Sequence, residues 1–144
     1  MKMDKKLMEK TKKYFVGHVL VQDISKVIRS KEQKIYHVTF KKGARTKLHY
    51  HQAGQILIPT GGKGMLVIYG AKQTGSNVKI KKTEMIDLGK GDAVYIPARK
   101  FHWHGAMGKN NFSHIAINAK LPRYKEAKTI WFESDFKTFA KKIA

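Results

Sequence analysis

Apolar residues in this chain come in short alternating runs that glycine keeps interrupting, and this pattern constrains the fold more than any other feature. Residues 34–40 read Lys-Ile-Tyr-His-Val-Thr-Phe and alternate with a period of two, which predicts a half-buried strand. Lys42-Gly43 predicts a turn after it. Further strands are predicted over 14–28, 47–51, 55–59, 65–69, 78–81, 85–88, 93–96, 101–105 and 112–118. Glycines at 61, 62 and 64 predict a turn, 70–77 a polar loop, and 89–92 a tight turn. Many short strands joined by glycine turns point to an antiparallel sandwich or barrel. At the end of the chain the period changes. Phe136, Phe139, Ala140 and Ile143 fall at helical spacing with Ser134 where an N-cap would stand, predicting a short amphipathic helix over 133–144 that packs on the strands. Residues 1–13 read as a basic N-terminal arm, frayed or helical, leaving 14–132 as the β domain.

At 144 residues the chain suits one compact domain. It has no cysteine, which excludes disulfides, thiolate metal sites, iron–sulfur clusters and thiol nucleophiles. A metal site here must use His, Asp, Glu, Gln or Asn. Thirty Lys plus Arg against ten Asp plus Glu give a formal net charge of +20. Such a field attracts polyanions nonspecifically at low salt. The arginines number only four (Arg29, Arg45, Arg99 and Arg123), the lysines are scattered, and no nucleic-acid motif is present, so no specific nucleic-acid partner is expected. No apolar run approaches the ~18 residues of a membrane span, and the basic start lacks an apolar segment after it. The expectation is a cytoplasmic protein with no membrane partner.

His49 and His51 are two apart, so on a strand their imidazoles share one face and can serve one metal ion. Gln55 follows the short bend Gln52-Ala53-Gly54, and His102 comes from a distant strand just after Pro97-Ala98-Arg99-Lys100. Two longer patterns surround these residues. Gly43 is followed by five residues, His49-Tyr50-His51, and an amide four residues on. Gly91 is followed by five residues, then Pro97, then His102. These resemble the two cupin motifs in order and spacing. The resemblance implies a jelly-roll antiparallel β-barrel, a divalent metal held by His49, His51, Gln55 and His102, and a homodimer. The common pattern has Glu where this chain has Gln55. Three imidazoles and an amide leave the dication uncompensated, which strengthens its Lewis acidity and favours an anionic ligand. Nitrogen and oxygen donors without sulfur suit Mn, Fe, Ni or Zn.

Gly43-Ala44-Arg45-Thr46, Gly54-Gln55, His102-Trp103-His104-Gly105-Ala106 and Ser113-His114-Ile115-Ala116-Ile117 are similar to one subgroup. These are the small cupins often labelled carboxymuconolactone decarboxylase-like, which include manganese-dependent hydroxynitrile lyases. The resemblance makes Mn the first choice of metal and matches His114 to an additional active-site histidine. His114 shares a strand face with Phe112, Ala116 and Asn118, and a neutral imidazole beside a substrate hydroxyl is a reasonable general base. His104, Arg45, Thr46, Trp103 and Ala116 are candidate pocket residues. His18 and His37 read as structural, and Tyr50 and Tyr95 as outward-facing or packed between sheets. The implied activity is on a small hydroxy or carbonyl compound, as a carbon–carbon lyase with the substrate oxygen at the metal. A non-catalytic cupin binding metal or a small ligand, and a cupin dioxygenase, are the alternatives.

Overall fold

The computed structural model describes Met3 and residues 5–144. Residues 1, 2 and 4 of the basic arm lie outside the described residues. The elements are α1 (Lys5–Tyr14), β1 (Phe15–Val16), β2 (Val19–Asp23), α2 (Ser25–Ile28), β3 (Gln33–Phe40), β4 (Arg45–Thr46), β5 (Leu48–His51), β6 (Gln55–Thr74), β7 (Asn77–Gly89), β8 (Val94–Ile96), β9 (Phe101–Ala106), β10 (Phe112–Ala119), β11 (Thr129–Ser134) and β12 (Phe139–Lys142). The strands pair antiparallel in the order β1-β4-β9-β5-β11-β12-β7-β6-β10-β3-β2, with β8 on β6 and β9 also on β6. This is the jelly-roll fold the sequence predicts.

One strand holds the two halves together. The first half of β6 pairs with β10 and β8, and its second half with β7 and β9. The predicted turn at 61–64 is therefore a bend inside a 20-residue strand. Glycine is needed there for space. A Cβ on Gly62, at φ +74°, would meet the Asn111 carbonyl at 2.0 Å, and one on Gly64 would meet the Phe112 ring at 2.5 Å. The predicted loop at 70–77 shrinks to a two-residue turn, Gly75-Ser76, because β6 and β7 run on as a hairpin to Thr74 and Asn77. The two strands expected over 78–88 are one strand with an irregularity opposite Ile68 and Tyr69.

The main core gathers Val38, Phe40, Leu57, Leu66, Ile68, Leu88, Ile96 and Phe112 inside the fold. A second cluster (Leu48, Val67, Tyr69, Val78, Ile80, Trp103, Phe132 and Ala140) lies on the opposite face of β5, β6 and β9. Two further sequence expectations fail. Residues 25–28 form a helical turn, with Asp23 accepting hydrogen bonds from the Ser25 hydroxyl and the Lys26 N–H. The C-terminal helix is absent. β11 ends at Ser134, and Asp135 accepts bonds from the N–H groups of Lys137, Thr138 and Phe139 to make a turn. β12 then fills the space between β11 and β7. A helix this short is marginal alone, and the open backbone edges of β7 and β11 give the segment a full set of strand partners instead. No described lysine is buried. No helix among the described residues is long and apolar enough to cross a membrane.

Candidate metal centre

Strand alternation turns Leu48 and Tyr50 of β5 to one face and His49 and His51 to the other. His49 sits opposite His102 in the β5–β9 register, with ring centroids 4.2 Å apart, and the His51 ring lies 4.9 Å from His49. The ligand nitrogens of His49, His51 and His102 all lie within 4.8 Å of one another. Gln55 opens β6 directly after the bend at 52–54, and its side chain is close enough to His51 to favour protonation of that ring.

The far end of each of these side chains is tied down. His49 Nδ1–H donates to the Lys47 carbonyl at 2.9 Å, and His102 Nδ1–H to the Lys100 carbonyl at 2.7 Å. His51 Nδ1 meets Thr129 Oγ1 at 2.8 Å, a pair set by the β5–β11 register. Gln55 Nε2 donates to Asn118 Oδ1 at 2.6 Å, across the β6–β10 register. These contacts choose the tautomers of His49 and His102 and leave Nε2 bare on both. His51 Nε2, Gln55 Oε1 and His102 Nε2 are buried and have no hydrogen-bond partner. Buried acceptors of this kind are costly. A divalent cation shared by the three histidines satisfies both imidazole nitrogens at once, and Gln55 beside His51 offers an oxygen of the type such an ion takes, so the residues fit the metal that the cupin motifs imply.

Burial holds the imidazoles neutral, which is the state a ligand needs. It pushes His51 down to about 4 and His102 to about 3. His49 is lowered well below its usual range, by burial first and then by the neighbouring His102 and His51. Trp131 packs on His49 at 4.3 Å and is stacked from outside by Tyr14, the last residue of α1.

The centre opens into a cavity of about 420 Å³. His104, His114, Thr46 and Ala116 line it, as the sequence predicts. Arg45 and Trp103 do not. Trp103 points to the opposite face of β9, where its Nε1–H donates to Tyr69 Oη at 3.0 Å, and the Arg45 guanidinium lies 3.6 Å from the Phe136 ring centre. Alternation explains the correction: His102 and His104 face inward, so Trp103 faces out. His114 Nε2 and His104 Nδ1 are 2.9 Å apart. The His104 ring lies 5.5 Å from His49 and 5.8 Å from His102, whereas His114 packs against Phe40 and Phe112. His104 thus stands between the metal ligands and His114. Burial lowers both, His114 to about 3. His37 bridges Gln22 and Thr60, His18 and Tyr95 are exposed, and Tyr50 packs on Phe101. Sequence reasoning missed Thr129 and the role of Asn118. Asn118 carried a signal, since it shares a face with His114; Thr129 carried none, because only strand pairing brings it to His51.

Comparisons with known proteins bear on the fold and the family. A 37% identical stretch of 84 residues links the chain to an (R)-mandelonitrile lyase from Granulicella tundricola, covering 58% of this chain and 55% of that protein. The match thus spans about half the length of the curated relative. A cupin-like protein from Thermotoga maritima superposes with a TM-score of 0.64 at 33% identity, covering 85% of this chain and 81% of its own. An oxalate decarboxylase from Bacillus subtilis shares the fold alone, with a TM-score of 0.58 and 18% identity over 80% of this chain and 28% of its own. A further structure of the Bacillus subtilis enzyme, described for its Mn(II) centres, has a TM-score of 0.54 at 20% identity and covers 72% of this chain and 26% of its own. The Cupin family model matches residues 27–140. With its paired glycine motifs, its jelly-roll topology and its inward-facing histidines, the chain belongs to the cupin family.

Proposed function

We propose that this cupin is a metal-dependent lyase that cleaves a carbon–carbon bond in a small hydroxy compound, in the manner of a hydroxynitrile lyase. The observation that carries the reading is the set of buried, partnerless atoms His51 Nε2, Gln55 Oε1 and His102 Nε2 together with a hydrogen-bonded His104–His114 pair that lines the same cavity as His51 and Gln55. A divalent ion, manganese first, held by His49, His51, Gln55 and His102 supplies Lewis acidity toward a substrate oxygen. The protein's own part is proton transfer. With Nδ1–H of His104 donating to His114 Nε2, Nε2 of His104 is bare and can accept the substrate hydroxyl proton. Passing the bridging proton to His114 then spreads the positive charge over two rings. As the hydroxyl proton leaves, the C–O bond becomes a carbonyl and the adjacent C–C bond breaks. Cyanide, in the cyanohydrin case, departs with the electron pair and takes the proton back from the pair. Phe40 and Phe112 pack around His114 and keep water from it.

Metal content and mandelonitrile cleavage, measured together on wild type, His51→Ala and His114→Ala, test this. His51→Ala is expected to lose metal and activity together. His114→Ala is expected to keep the metal and slow ~100- to 10,000-fold. Unchanged turnover in His114→Ala removes its role. No turnover on cyanohydrins or other small hydroxy and carbonyl compounds by metal-loaded wild type, with binding retained, favours a non-catalytic ligand binder. A homodimer goes with this reading. Tyr95, Ile56 and Ile58, neighbours on β8 and β6, are exposed and uncharged in a chain of net charge +20. Light scattering in solution tests it.

A further inference from the structure

The lysines of this chain are spread along its sequence, yet four of them line one cavity. Lys10 of α1, Lys34 of β3, Lys120 after β10 and Lys128 before β11 all line the cavity that leads to the candidate metal centre. Lys10 and Lys128 are exposed and Lys34 and Lys120 half-buried, so the four stand at the mouth while the imidazoles form the buried floor. One acid lines the cavity among the described residues, Glu126, and it is engaged by Lys34 at 3.6 Å. Three ammonium groups at the mouth therefore face no cavity-lining carboxylate other than one already paired. Phe15, Val38, Ile130 and Trp131 add apolar lining to the same cavity. The floor adds no negative charge, since its metal donors are imidazoles and an amide.

We infer that the physiological ligand is a small organic anion whose carboxylate sits among Lys10, Lys120 and Lys128 at the mouth while an oxygen donor at its other end reaches the metal centre. The inference rests on the metal reading above and extends it to the class of substrate. A neutral cyanohydrin would then be a surrogate that fits the floor and wall but leaves the mouth unused. Low-dielectric walls concentrate the field of the lysines along the cavity, which also raises the encounter rate of an anion at low salt.

The test holds the metal-binding group constant and changes only the remote charge. Adipic acid monohydroxamate and its methyl ester are titrated calorimetrically into metal-loaded protein, with metal content checked after each run. The acid is expected to bind ~10-fold or more tightly than the ester at low ionic strength, with the gap closing as salt is raised. Lys10→Met, Lys120→Met and Lys128→Met combined are expected to abolish the gap at unchanged metal content. Lys72→Met, Lys79→Met and Lys81→Met combined remove the same charge from exposed sites away from this cavity, and are expected to preserve it. Equal affinity of acid and ester in wild type, or equal loss of the gap in both triple variants, would overturn the inference while leaving the metal reading intact. Failure of both probes to bind, with no metal retained by the wild type, removes both.

Discussion

Asn118→Leu separates Gln55, the proposed amide ligand, from the residue that orients it. Gln55 is 4% exposed, and its amide is oriented by a 2.6 Å hydrogen bond from Nε2 to Asn118 Oδ1, which leaves Oε1 without a partner beside His51. Leucine is close to asparagine in size but accepts nothing. The substitution leaves a buried N–H without a partner, at a cost of ~1–3 kcal/mol. The amide can recover some of this only by rotating, which takes Oε1 away from the ion. Loss of an outer partner of this type weakens metal binding ~10- to 100-fold, or roughly 1.4–2.8 kcal/mol, so the two routes agree in size. Asn118→Asp keeps the acceptor and adds negative charge near an uncompensated dication. Its affinity is expected to equal or exceed wild type. Competition against a chromophoric chelator gives the constants, and circular dichroism confirms the fold. If Asn118→Leu binds metal within about twofold of wild type while Gln55→Leu is weakened, the orienting argument is wrong.

Acid should unfold the metal-free protein early. Burial holds His114 and His102 at about 3 against a usual 6.5, so the unfolded chain binds more protons below pH 6.5. Stability is full above that value and falls as pH drops toward 3, by ~1.4 kcal/mol per pH unit for each such histidine; a urea midpoint that does not move between pH 7 and 4.5 would contradict this. Gly64→Ala places a methyl 2.5 Å from the Phe112 ring at the crossing of β6. It is expected to cost ~1–3 kcal/mol, read as a lower melting temperature with metal stoichiometry unchanged.

Much of the site was legible along the chain. His49 and His51 share a strand face at any sequence separation of two, and the glycines and Pro97 that bracket Gln55 and His102 mark where strands begin and end. Alternation put His102 with His104, and His114 with Ala116, on shared strand faces, and the cupin resemblance turned those faces inward. Arg45 and Trp103 depart from the expectation because each alternates with an inward-facing neighbour, Thr46 and His104. The C-terminal segment misled for a different reason. Phe136, Phe139, Ala140 and Ile143 satisfy a helical period, but Ala140 is fully buried as a strand residue because β7 and β11 leave an edge there to be paired.

What the sequence determined by itself is local: the strand period, the glycine positions where no side chain fits, and the donor types available in a chain without cysteine. Which residues complete the site was decided only in three dimensions. Thr129 meets His51 and Asn118 meets Gln55 through strand registers spanning 78 and 63 residues, and His104 comes between the ligands and His114 because β9 and β10 face the same cavity. The four lysines at the mouth gather in the same way, from α1, β3 and the two ends of the segment between β10 and β11. Pairing between distant strands depends on the closure of the whole sheet, and no period or spacing within one segment encodes it.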